Sequence, residues 1–142
     1  MEDCIFCMLA DGTIKASTLY EDDDFRVILD AAPATKGHCL ILPKKHYQSL
    51  FDMPEDLTGK AFALARRIAP VLKKVTGCQG LNVLQNSGSA AGQTVDHFHI
   101  HLIPRYEGGP VIVANWNPGF VSDEEKSALA DAFAKELGES ES

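Results

Sequence analysis

The chain has 142 residues, 45% hydrophobic and 23% charged, the balance of one ordinary globular domain and too short for two independent cores. A net charge of -7 and a pI near 5.1 exclude a broadly basic face of the kind that attracts nucleic acid or an anionic membrane. No apolar run approaches the roughly 18 to 20 residues that span a bilayer, and the N-terminus lacks a signal peptide's basic and apolar regions.

The expectation is therefore a cytoplasmic protein whose Cys4, Cys7, Cys39 and Cys78 stay reduced. In that setting Cys4-x-x-Cys7 reads as a metal half-site or a redox pair before it reads as a disulfide. Residues 18–21 and 25–30 are β-rich runs across an acidic turn, which predicts a hairpin. Pro33 and Gly37 punctuate a loop, and residues 38–42 form an apolar run that ends at Pro43, as a central strand does. From Glu55 to Val75 apolar residues recur at three- and four-residue spacing, which predicts the main helix. Pro54 suits its start and Gly77 its stop, while Pro70 predicts a bend near residue 69. Residues 81–85 and 95–104 alternate as two strands, predicted to be antiparallel neighbours, with a small-residue loop over 86–92. A last helix is expected from a capping box at Ser122 and Glu125 to about Leu137. The acidic stretches at 21–24 and 123–141 read as solvated surface.

Chemistry concentrates in His97-Phe98-His99-Ile100-His101-Leu102-Ile103, which carries three of the five histidines. Alternation on a strand puts the imidazoles on one face and Phe98, Ile100 and Leu102 on the other. Three convergent imidazoles are costly unless they exchange protons or bind phosphate or metal. Imidazole titrates near neutrality and serves as nucleophile or proton donor, which suits phosphoryl chemistry. Just upstream, residues 86–94 offer backbone N–H groups on small residues, a cradle for an anion.

These residues resemble the histidine-triad (HIT) family, whose signature alternates histidine with apolar residues and closes on two apolar positions. The resemblance extends through Gly92-Gln93-Thr94-Val95, Pro104-Arg105, Gly37-His38 and Pro43-Lys44-Lys45-His46, and covers residues 4 to about 106. It implies a single HIT-like domain over 1–142, with a core at 4–106 and a variable segment at 107–142. The architecture implied is α+β: a mostly antiparallel sheet of about five strands, one long helix packed on it and a C-terminal helix. It also implies a homodimer.

By resemblance His99 is the nucleophile that forms a nucleotidyl-histidine intermediate, His101 supports the phosphate oxygens and His38 completes the cluster. Gln93, Thr94 and Asn86 take phosphate-pocket positions and Asp30 the ribose position. Ile5, Phe6 and Leu40 lie near the implied base walls, where core packing is an equal alternative. Members with the N-terminal cysteine pair are implied to hold a structural zinc with Cys4, Cys7, His46 and His97, a closed Cys2His2 set. The implied activity is hydrolysis of nucleoside 5′-phosphate derivatives, with a purine the implied base. Residues 91–95 and Pro104-Arg105 resemble dinucleoside polyphosphate hydrolases, whereas Asp30 and Asn86 resemble nucleoside phosphoramidases. Nucleotidyl transfer and a non-catalytic nucleotide sensor or scaffold are the rival readings. Asn115-Trp116-Asn117-Pro118-Gly119 resembles a phosphoramidase segment that approaches the active site across the dimer, with packing of Trp116 over the domain's own core as the alternative.

Overall fold

The computed structural model describes residues 4–112 and 119–141. The β-rich runs become β1 (Thr18–Glu21), β2 (Phe25–Leu29), β3 (Cys39–Pro43), β4 (Gly80–Leu84) and β5 (Ile100–Arg105). They form one sheet in the order β1-β2-β3-β5-β4, and every neighbouring pair is antiparallel. The central strand β3 is buried along its whole length, because helices cover both faces of the sheet there.

Side-chain alternation sorts the two faces. Val27, Cys39, Ile41, Phe98, Ile100 and Leu102 pack with Ala61, Leu64, Ala65 and Leu72 of the long helix α2 (Glu55–Thr76). Ile28, Leu40 and Leu42 point the other way, toward Ala10, Phe6 and Leu9 of the short helix α1 (Ile5–Asp11). The helix α2 runs from Pro54 at its N-cap to Gly77, whose φ of 74° supplies the left-handed stop and whose N–H bonds the Lys73 carbonyl at 2.8 Å. It continues past Pro70, which lies inside it.

Two features depart from expectation. The strand expected over 95–104 becomes regular only at Ile100, so His97 and His99 precede it. There the backbone turns off the ladder: the His97 N–H bonds the Val95 carbonyl at 2.8 Å and the Phe98 N–H bonds the Tyr47 carbonyl at 2.7 Å. The second is α1 itself, which the sequence did not announce. Its seven residues are too few to show a helical period, and the Cys4 thiol caps it by accepting the Cys7 N–H at 3.3 Å.

The chain divides into two compact units, Met1–Ile112 and Val113–Ser142. In the second, α3 (Asp123–Glu141) opens on the expected capping box, with the Ser122 hydroxyl accepting the Glu125 N–H at 3.1 Å. No helix among the described residues is long and apolar enough to cross a membrane.

Candidate active site

The face of the sheet that carries α1 gathers His38 from just before β3, His99 from just before β5, His101 from β5, and Asp30 from just after β2. Register does this: Leu40 of β3 lies opposite His101 of β5, and the Asp30 N–H bonds the His38 carbonyl at 2.9 Å.

Hydrogen-bond partners assign each tautomer. His38 Nδ1 accepts the Ala34 N–H at 2.9 Å, so its proton sits on Nε2. That Nε2–H lies 3.0 Å from His101 Nδ1 and donates to it, which leaves the His101 proton on Nε2. Asp30 Oδ2 flanks the pair, 3.5 Å from His38 Nε2. His99 Nδ1 lies 2.7 Å from the His97 carbonyl, which can only accept, so the His99 proton is on Nδ1 and the Nε2 lone pair is free. One imidazole thus offers an unprotonated nitrogen while its neighbour, at a ring separation of 4.9 Å, offers an N–H.

Burial favours the neutral form of these rings. His99 and His38 are held below the ordinary histidine value chiefly by desolvation. His101 is pushed down to about 4 by burial first and then by the neighbouring His99 and His38.

Across His97 stands a second cluster. Cys7 Sγ lies 3.2 Å from His46 Nδ1 and 3.4 Å from His97 Nδ1, and Cys4 Sγ lies 3.5 Å from His97 Nδ1. Zinc bond lengths place sulfur and nitrogen ligands about 3.5 Å apart around a tetrahedron, which these separations match. His97 Nε2 donates to the Pro43 carbonyl at 2.9 Å, leaving the Nδ1 lone pair aimed at the thiols, the outer-sphere arrangement that metal-binding histidines use. Without a cation, burial and the adjacent Cys4 thiol raise Cys7 to about 11. A divalent ion supplies the charge that favours the thiolate, so the donor set fits zinc. Asp30, His38 and His101 also converge as possible metal donors. There, however, His38 Nε2 carries the proton that Ala34 assigns to it, so this group suits a proton chain rather than an ion.

Residues 11–108 match the family described as HIT domain. The chain belongs to the HIT family. A HIT-family crystal structure from Bacillus subtilis superposes with a TM-score of 0.85 at 34% identity, covering 94% of this chain and 96% of that one. A zinc-bound histidine triad protein of Mycobacterium smegmatis gives a TM-score of 0.72 at 39% identity, over 75% of this chain and 78% of that one. Among curated relatives, the adenylylsulfatase HINT3 of Arabidopsis thaliana is 42% identical over 74% of this chain and 53% of its own length.

In this HIT chain the loop before the triad is built on Gly88 and Gly92, whose φ values of 90° and 92° few other residues tolerate. The Asn86 amide lies over Gly92, where a Cβ would stand 3.5 Å from Nδ2, and Thr94 is exposed. Gln93 is buried and its amide is already occupied: Oε1 accepts the Gly88 N–H at 2.7 Å, and Nε2 donates to the Gln48 and Val95 carbonyls at 2.7 and 2.9 Å. Its role in this conformation is to hold the loop. Of the apolar residues singled out, Leu40 is buried in the sheet core and Ile5 is 48% exposed. Phe6 lies against the His99 ring, 4.8 Å between centroids and edge to face. Trp116 and its neighbours 113–118 lie outside the described residues.

Proposed function

We propose that this HIT protein hydrolyses nucleoside 5′-phosphate derivatives at the α-phosphate through a nucleotidyl intermediate on His99. The observation that carries the reading is the 2.7 Å bond from His99 Nδ1–H to the His97 carbonyl, which leaves Nε2 of this buried ring as the nitrogen without the proton. Attack by Nε2 forms the N–P bond, and the leaving group departs with the electrons of its own bond to phosphorus. The imidazole becomes cationic in that step, and the His97 carbonyl faces the growing charge through Nδ1–H. The His101 Nε2–H, fixed by His38, hydrogen-bonds the phosphate oxygens. Water then breaks the N–P bond, returns the electron pair to Nε2 and releases the nucleoside monophosphate.

Asp30, with its Oδ2 left beside His38, is assigned to the ribose hydroxyls, and Thr94, Asn86 and the 88–92 backbone to the phosphate. Ile5 is assigned to the base, with Phe6 between it and His99, and Leu40 to the core behind them. Bound at Cys4, Cys7, His46 and His97, zinc would be structural, because four protein donors leave no open position for water. The name of HINT3 adds adenylyl sulfate to phosphoramidates and dinucleoside polyphosphates as candidate substrates.

A panel of adenosine 5′-phosphoramidate, diadenosine polyphosphates, adenylyl sulfate and nucleotide sugars tests this, with wild type beside His99→Ala. Release of AMP from at least one substrate by wild type, lost by several powers of ten in the variant at unchanged melting temperature, is the expected result. Tight AMP binding with no turnover of any substrate would favour the sensor reading.

A further inference from the structure

His97 and Phe6 each touch both clusters. His97 gives Nδ1 to the thiol cluster and its carbonyl to His99, so a ligand of the first is a hydrogen-bond partner of the second. Phe6 stands between Cys4 and Cys7 in sequence and sets its ring 4.8 Å from His99, at an interplanar angle of 87°, and 6.2 Å from His97. His99 also meets the His101 ring, 4.9 Å between centroids, so the nucleophile touches two rings and one carbonyl. The helix that carries Phe6 is only seven residues long, too short to hold its position alone. Its buried side packs on Ile28, Leu40 and Leu42, and its first turn is capped by the Cys4 thiol, which accepts the Cys7 N–H at 3.3 Å.

From this we infer that Phe6 is a positioning residue for His99, and that metal held by Cys4, Cys7, His46 and His97 sets it there. The metal centre therefore governs the orientation and tautomer of the nucleophile, beyond stapling the N-terminus to the sheet. An imidazole freed from Phe6 can rotate away from the His97 carbonyl and place its proton on Nε2, where it can no longer attack. Nucleophile misplacement on that scale costs far more in rate than in binding. The inference rests on His99 as nucleophile for its kinetic consequence, but not for its structural one.

The experiment compares zinc-loaded full-length wild type, Phe6→Leu and Phe6→Tyr. Zinc content, melting temperature, kcat, KM and the 15N shifts of the His99 ring, which separate protonated from unprotonated nitrogens, are measured in each. Phe6→Leu is expected to keep its zinc, to change KM by less than roughly threefold and to lose about tenfold or more in kcat. Its His99 nitrogen shifts should move toward each other as the tautomers mix, and Phe6→Tyr should restore both properties. Chelation of zinc from wild type should produce the same movement of the His99 shifts while Ile100 and Leu102 stay at their folded positions. A Phe6→Leu protein with wild-type kcat and raised KM would overturn the inference, leaving Phe6 a wall of the base pocket. Identical His99 shifts in zinc-loaded and metal-free wild type would overturn it too, even if Phe6→Leu failed to fold. Should no substrate turn over, the proposed function fails, and the nitrogen shifts still decide the coupling.

Discussion

At the scale of single residues, chemistry follows from which ring nitrogen holds its proton. Ala34 fixes His38, His38 fixes His101, and the His97 carbonyl fixes His99. Replacing His38 by Ala removes the donor to His101 Nδ1 and frees that ring to flip. We expect kcat to fall by about ten- to a hundredfold with a smaller change in KM, a split that steady-state kinetics resolves. The same burial makes stability depend on pH. The folded state holds His38 below its ordinary value and His101 down at about 4, so between pH 6.5 and 4 the unfolded chain binds protons that the folded chain refuses. The stability tied to these rings is complete above about pH 6.5 and is lost as the pH falls toward 4. Melting temperature should therefore drop less steeply over that interval in His101→Gln than in wild type, and parallel curves would show that His101 does not contribute.

At the scale of elements, the triad divides its labour by alternation. Ile100 is fully buried against α2, so Ile100→Ala should cost about 2 to 5 kcal/mol in chemical denaturation, whereas His99→Ala should cost far less. Equal losses would mean that the histidine face is also core. Gln93 makes a prediction of its own. Gln93→Ala strands the Gly88 N–H and two carbonyls, so amide exchange at Gly88 should accelerate and KM should rise, with the triad untouched.

Much of this was legible in the sequence, because alternation and turn residues act over a few positions. The hairpin, the central strand, α2 with its Gly77 stop and the capping box at Ser122 all follow from such local signals. What escaped depends on distant partners. Tyr47 draws residue 98 off the ladder, which shortens β5, and α1 exists because Cys4 caps it and Ala10 finds a pocket on the sheet. The family pattern gives Gln93 its place beside the phosphate, while the bonds its amide makes to Gly88, Gln48 and Val95 are visible only in the fold. The resemblance placed Phe6 near the pocket, but its edge-to-face contact with the His99 ring is visible only in the fold.

At the scale of the molecule, two clusters share His97, and the thiol cluster joins the N-terminal helix to the sheet. One zinc per chain is expected after dialysis, and Cys4→Ser should lower the melting temperature by many degrees, because metal affinity is folding free energy here. Metal-free protein with an unchanged melting temperature would refute that assignment. The homodimer implied by the HIT resemblance predicts a light-scattering mass twice the 15.4 kDa of one chain. The central claim is a covalent path through His99, and stereochemistry tests it without any variant. Hydrolysis of a nucleotide whose α-phosphorus is a single phosphorothioate epimer, run in 18O water, should retain configuration, since two displacements at phosphorus restore it. Inversion would show that water attacks directly, and would contradict a nucleotidyl-histidine intermediate.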